Sequence, residues 1–234
     1  MTRLRISEHF FSIQGEGASV GVPAVFVRLQ GCNLMCGAHG GDWVCDTTDV
    51  WKQGHSHDIH DWHHRFTTQY RHAFDQGAHL VITGGEPLLQ QDALLEWLAL
   101  FDSLPVIEIE TNGTIRPVPS LWGNVHQWNV SPKLRNSGES MDQRWIPAIL
   151  NEFIQVPNAI FKFVVQSESD VLEVMASGMA MDQMPIRRKF LMPAADNRTD
   201  LNRLYPTVIE WAKQYGFSLG QRFHISQWDQ TTGI

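Results

Sequence analysis

The sequence predicts an α/β fold, one domain built on a mostly parallel sheet that is open or partly rolled into a barrel. Three observations predict it. Runs rich in Val, Ile and Phe alternate with helical runs, the order that parallel strands and crossover helices produce. The 234 residues fit one compact domain, or at most two small ones. A hydrophobic content of 43% with only 18% charged residues, nine Trp and twelve Phe supplies a sizeable core and excludes global disorder.

Taken in order, strands are expected at 24–30, 79–83, 106–110, 127–130, 159–165, 189–192 and 222–227; several end in Gly, Pro, Ser or Asn. Residues 58–74 read as a weaker helix. Residues 91–101 read as a helix, because Leu94, Leu95, Leu98 and Phe101 share one face at three-to-four spacing. A further helix at 201–215 carries Leu204, Val208, Trp211, Ala212 and Tyr215 on one side; Gly216 stops it and Pro206 kinks or starts it. In such folds the chemistry lies at the C-terminal ends of the strands.

No apolar run approaches the length of a membrane helix, and the N-terminal residues lack the apolar stretch of a signal peptide. A soluble cytoplasmic protein is expected, with no membrane partner. Eighteen Lys and Arg against 25 Asp and Glu argue against an extended nucleic-acid surface. Six of the eleven His lie between His55 and His72. Their spacing repeats no ligand geometry and no Cys is near, so a polar, solvated helix with its leading loop is expected rather than a second metal site.

The three cysteines, Cys32, Cys36 and Cys45, form a Cys-X3-Cys-X8-Cys run within a cluster loop at 31–47. An odd, clustered set is not a disulfide framework. Thiolates suit zinc or iron–sulfur. Three of them on a [4Fe-4S] cluster leave one iron open for a ligand, whereas a zinc knuckle would recruit His39 as a fourth ligand. The cysteines alone leave both readings open. A second motif, Thr83-Gly84-Gly85-Glu86-Pro87, ends an apolar strand and opens a helix. Its glycines let backbone approach a ligand closely, and Pro87 suits a first helical turn.

Together, these two motifs resemble the radical S-adenosylmethionine (SAM) enzymes. The resemblance narrows with Gln14-Gly15-Glu16-Gly17, with residues 21–28, and with Cys45-Asp46-Thr47, Glu110-Thr111-Asn112-Gly113 and Ser131-Pro132-Lys133. These are similar to the 7-carboxy-7-deazaguanine synthase family of the queuosine and 7-deazaguanine pathway. The match runs from Phe11 to Lys133 and more loosely to the end.

The resemblance implies a partial (β/α) barrel of the radical SAM type and a lyase acting on 6-carboxy-5,6,7,8-tetrahydropterin. A 5′-deoxyadenosyl radical removes a hydrogen, the ring contracts, ammonia is lost and 7-carboxy-7-deazaguanine forms. It implies a [4Fe-4S] cluster on Cys32, Cys36 and Cys45, SAM, and Mg2+ at Thr47. SAM would meet Val44, Cys45, Asp46, Gly85, Ser131, Pro132 and Lys133. The pterin would meet Ile13, Gln14, Gly15, Arg28, Thr83 and Ile234, the last in a C-terminal tail (228–234) closing the pocket. A homodimer and a flavodoxin or ferredoxin as electron donor are also implied.

Arg28 has an argument of its own. Strand alternation puts it on the side of Phe26, and a buried guanidinium requires an anion. The substrate carboxylate is a suitable bidentate partner; the alternative is an ion pair with Glu16 or another acid. Two departures from the family pattern stand out. Residues 37–42 are extra relative to the common Cys-X3-Cys-X2-Cys spacing, and Val44 replaces the aromatic before the last Cys, with Trp43 one position earlier. The competing functions are another radical SAM role, such as a glycyl-radical activase, and a non-enzymatic zinc-binding interaction module.

Overall fold

A computed structural model describes residues 2–231 and 233. Its strands are β1 (Arg3–Ile13), β2 (Pro23–Leu29), β3 (His55–Asp58), β4 (His79–Gly84), β5 (Ile107–Thr111), β6 (Gln127–Val130), β7 (Ala159–Val165), β8 (Lys189–Pro193) and β9 (Ser218–Leu219). Its helices are α1 (Thr48–Trp51), α2 (Ile59–Asp75), α3 (Gln91–Leu98), α4 (Pro119–Asn124), α5 (Met141–Arg144), α6 (Pro147–Gln155), α7 (Glu168–Ala176), α8 (Arg198–Tyr215) and α9 (Phe223–Trp228).

One sheet holds all nine strands in the order β3-β1-β2-β4-β5-β6-β7-β8-β9. From β2 to β9 every pairing is parallel, while β1 runs antiparallel to both β2 and β3. Among the described residues β3 and β9 remain edges, so the sheet forms a partial barrel rather than a closed one.

Alternation along the strands sorts two faces. Val25, Val27, Leu80, Ile82, Ile107, Ile109, Trp128, Val130, Phe161 and Phe163 join one core with Trp62 and Phe66 of α2, Trp97 of α3 and Phe153 of α6. Burying a side chain such as Phe161 contributes about 1.5–3 kcal/mol. The opposite face has a small apolar cluster of Ala24, Phe26 and Val81. It also carries the polar intervening residues Arg28, Thr83, Glu108, Glu110, Asn129 and Lys162. A polar face on otherwise apolar strands is what a ligand-holding barrel interior requires.

Several expected elements need correction. The run at 222–227 is not a strand: it becomes α9, because β9 already occupies the edge of β8 and Gly220 closes that pairing onto Leu191. With no strand left to pair, its amides turn back on themselves, Ser226 N–H to the Arg222 carbonyl and Asp229 N–H to that of Ile225. β1 was not expected, yet Leu4 and Ile6 are buried between exposed Arg3 and Arg5, a period-two pattern. The residues before α2 pair with β1 as β3 instead of forming a loop. Asp58 caps α2, its carboxylate accepting from His60 N–H at 3.0 Å. That helix is amphipathic rather than wholly solvated, since Ile59, Trp62, Phe66, Tyr70 and Ala73 are buried. Pro206 lies inside α8, and Gly216 in the left-handed conformation ends it as expected.

Candidate active site

The C-terminal ends of the parallel strands bring the motifs together. β2 leads through Gly31 into the cysteine loop, and β4 leads into Gly84-Gly85-Glu86. The two turns interlock. Glu86 N–H donates to the Gly31 carbonyl at 2.9 Å, and a Cβ on Gly85 would lie 2.2 Å from that carbonyl oxygen and 2.6 Å from Cys32 Cβ. Only glycine fits there. The Glu86 carboxylate, fully buried, ties this turn to the end of β5: it accepts from Asn112 N–H at 2.7 Å, the Thr111 hydroxyl at 2.9 Å and Leu88 N–H at 3.0 Å. Burial pushes its pKa up against those bonds. The Asn112 side chain then donates to Asn33 at 3.0 Å, inside the cysteine loop.

Burial raises the Cys32 thiol to about 11, and Cys36 is raised for the same reason. The Lys133 ammonium opposes the rise in both, which locates it beside the thiols. Lys133 Nζ also donates to Ser131 Oγ at 3.1 Å and stands 5.9 Å from the Trp43 ring centroid. The charge of Cys36 also raises Cys32, and that of Cys45 raises Cys36. No three Cys, His, Asp or Glu side chains among the described residues converge to hold a single metal ion. A four-iron cluster takes each thiolate on a different iron and so does not require the three to converge on one ion. His39, the fourth ligand of a zinc knuckle, is exposed.

The extra loop residues dock on the segment after Lys133. Gly37 N–H donates to the Ser137 carbonyl at 2.8 Å, Asp42 N–H to that of Asn136 at 2.7 Å, and the Trp43 indole to Asn136 Oδ1 at 2.9 Å. Both ends of the extra segment are thus held by backbone hydrogen bonds. Val44 is 67% exposed beside it. Thr47 precedes α1, its carbonyl accepting from Val50 and Trp51 N–H and its hydroxyl 3.5 Å from Cys45 Sγ; the hydroxyl makes no cap bond.

Around the end of β1 lies a chain of charges. Gln14, almost fully buried, reaches Glu110 Oε1 at 3.4 Å and accepts from Glu16 N–H at 3.1 Å. Lys162 Nζ bridges Glu16 at 2.9 Å and Glu110 at 3.5 Å. Arg222 pairs with Glu16 at 3.1 Å and Asp46 at 2.5 Å. Burial opposes ionisation of Glu16, but Lys162 and Arg222 outweigh it and hold its carboxyl well below the usual range. Burial holds the His224 pKa below its ordinary value, and its Nε2 lies 3.9 Å from Glu16. Gly15 lies directly under His224, where a Cβ would sit 2.5 Å from Nδ1.

Arg28 shares the face of Thr83, its register partner on β4. Its Nε is bonded to Glu8 Oε1 at 2.8 Å, the ion pair that strand alternation left open, with an acid other than Glu16. Ile13 ends β1 beside Pro23, and Pro132 is buried. Ile234 lies outside the described residues. Two surface cavities, one beside Arg5 and one beside Phe11 and Tyr70, are lined by none of these site residues.

No family model matches the chain. A 7-carboxy-7-deazaguanine synthase from Pyrobaculum aerophilum is 36% identical over 235 residues, spanning 99% of this chain and 97% of the relative. This chain belongs to the 7-carboxy-7-deazaguanine synthase family. A family member from Halobacterium salinarum is 32% identical, with 97% of this chain and 91% of the relative covered. The crystal structure of QueE from Escherichia coli shares the fold, with a TM-score of 0.64 and 24% identity over 96% of each chain. Membership of the 7-carboxy-7-deazaguanine synthase family makes the chain a radical SAM lyase.

The site also contains residues that motif reading passed over. Lys162, Arg222 and His224 contribute charge or contact from β7 and the C-terminal segment. Lys162 was detectable as a lone cation within the apolar run of β7. Arg222 and His224 carried no such signal, because their placement depends on the turn into α9.

Proposed function

We propose that this chain converts 6-carboxy-5,6,7,8-tetrahydropterin to 7-carboxy-7-deazaguanine with loss of ammonia. The observation that carries the reading is the interlock of the Gly84-Gly85-Glu86 turn with the first cluster cysteine at the C-terminal edge of the sheet. When bound, the cluster and SAM supply the radical that removes hydrogen from the pterin.

The residues present fit that pair of groups. Cys32, Cys36 and Cys45 would bind the cluster, with Lys133 offsetting thiolate charge. Gly85 offers a backbone approach to SAM free of a Cβ, and Ser131, Pro132, Lys133, Val44 and Asp46 are assigned to the same cofactor. Arg28 and Thr83 are assigned to the substrate side with Ile13, Gln14, Gly15 and Ile234. In this reading the Arg28 fork exchanges Glu8 for the pterin carboxylate. The Gln14 amide donates and accepts toward the pterin amide edge. Glu16 and Glu110, both paired with Lys162, line that side of the site.

Mg2+ at Thr47 belongs to the same reading. One neutral hydroxyl binds a hard cation weakly, so substrate oxygen must complete the site. Anaerobic turnover by wild type is therefore expected to rise with Mg2+, and by Thr47→Ala to ignore it; an equal response of both removes Thr47 as the ligand. A homodimer in the cytoplasm, served by a flavodoxin or ferredoxin, completes the proposal.

The deciding experiment is anaerobic reconstitution with iron and sulfide, followed by product identification from the tetrahydropterin. A brown, iron- and sulfide-containing protein that yields the deazaguanine supports the reading. Iron without that product points to another radical SAM reaction, such as glycyl-radical activation, and a colourless zinc protein removes the reading.

A further inference from the structure

The guanidinium of Arg222 reaches two functional loops at once. Its Nε donates to Glu16 in the loop after β1, one Nη to the Ala195 carbonyl, and the other Nη to Asp46 in the cluster loop. Its backbone N–H is also fixed, by the Tyr205 hydroxyl at 3.1 Å. The Arg222 side chain is 11% exposed and Asp46 is 38% exposed, so the contact closes the rim of the site rather than lying in the core. Asp46 stands between Cys45 and Thr47.

The turn that carries Cys45 has few other restraints. Its far end is anchored, since the Trp51 carbonyl accepts from Gly31 N–H at 3.0 Å. Residues 42 and 43 just before it are docked on Asn136, but from Cys45 to Thr48 the near end has two long bonds, Cys45 N–H to the Cys36 carbonyl at 3.3 Å and Thr48 N–H to the Cys45 carbonyl at 3.4 Å. The Asp46 carboxylate is the side-chain tether of this near end, and a planar fork with fixed donors orients what it holds better than a point charge does. With Asp46 38% exposed, the pair contributes only modest stability of its own. Its consequence here is orientation.

We propose that Arg222 is a positioning residue that straps the C-terminal segment to the cluster loop through Asp46 and to the Gln14–Gly17 loop through Glu16, fixing Cys45 relative to Cys32 and Cys36. The cluster part of this inference rests on the function proposed above; the strap itself does not. Lysine at this position would reach one carboxylate but not span both, so Arg222→Lys should behave like Arg222→Gln.

The test compares wild type, Arg222→Gln, Arg222→Lys, Asp46→Asn and the Arg222→Gln/Asp46→Asn double variant. Amide hydrogen exchange is followed by mass spectrometry on the protein as purified, and iron release to a chelator is followed after anaerobic reconstitution. Each single variant is expected to exchange roughly tenfold faster over residues 45–51 and to release iron faster by a similar factor. The double variant should be no worse than the worse single one, because both break the same tether. Protection over β7 should not change. Wild-type exchange at 45–51 in the variants would overturn the proposal, as would acceleration spread evenly over β7 and β8, which would make Arg222 a general stabiliser. Should Arg222→Gln fail to fold, Asp46→Asn decides alone, since it leaves the Arg222–Glu16 pair in place. Local acceleration in a protein that holds no iron would keep the strap and remove the cluster reading.

Discussion

A lysine inside an apolar strand is costly unless both its charge and its protons are satisfied, and Lys162 is 4% exposed between two carboxylates. Removing it leaves Glu110 without this counter-charge and Glu16 with Arg222 alone. Lys162→Met is expected to cost about 2–3 kcal/mol in urea unfolding, at the low end for a broken buried pair because both acids keep some water contact. An unchanged midpoint would show that the acids relax to solvent. The pH dependence has a defined sign. The Glu16 carboxyl is depressed in the folded state, so the stability it contributes is complete above the ordinary carboxylate range and is lost as pH falls toward its folded value. Lys162→Met should shift that loss to higher pH. Arg28 tests the substrate assignment. Exchange of its fork for an ammonium, Arg28→Lys, is expected to raise KM for the pterin roughly tenfold or more while moving kcat less. An unchanged KM would leave Arg28 as the ion-pair partner of Glu8 alone.

At the scale of elements, the site depends on turns that follow strands. Gly85 is the sharpest case, because backbone and Cys32 Cβ both occupy the space a side chain would need. Gly85→Ala must push the cysteine loop away from the end of β4. Iron retention is expected to fall roughly tenfold or more, the scale of damage seen when a ligand's supporting contacts are lost. Metal analysis beside a thermal melt checks it. Iron loss with a near-native melt supports the interlock, and full iron content would mean that the loop moves freely. The extra residues before Cys45 follow the same logic in the opposite direction. They satisfy their amides on the Ser137 and Asn136 carbonyls, so a longer loop does not mean a looser one.

Across the whole molecule, α2 seals the antiparallel end of the sheet with a row of aromatic rings. His9 of β1 meets Trp62 at 4.8 Å and Tyr70 at 5.6 Å between ring centroids, with Nδ1 2.7 Å from the Tyr70 hydroxyl. Burial first, then the charges of His57 and Arg65, holds the His9 pKa below its ordinary value. The unfolded chain therefore binds its proton first. Stability from this group is complete above about 6.5, the unfolded histidine value, and is lost as pH falls through the folded one. Unfolding free energy is expected to decline on acidification across that range in wild type and to decline less in His9→Phe. Equal slopes would assign the effect to His57 and His63, whose pKa values are lowered in the same direction.

Much of this was legible in the residues because it rests on local rules. Runs rich in Val, Ile and Phe marked the central strands, and three-to-four patterns marked α3 and α8. The glycine, thiol and carboxylate motifs carried their chemistry in their spacing, and the family followed from them. What needed the tertiary structure was every decision made by competition between distant segments. Arg3–Ile13 alternates as a strand should, but only pairing with β2 and β3 makes it one. The run after Arg222 has strand-like composition, yet β9 takes the last place in the sheet and the chain coils into α9 instead. Arg28 was placed on the right face by alternation, while its partner Glu8 was set by the antiparallel register of β1. Arg222 could not be found from spacing at all, because its carboxylates lie 206 and 176 residues away. The sequence by itself determined which groups the protein has and which chemistry they suit. The tertiary structure decided which charge faces which, because ion pairing depends on distance through space and not along the chain.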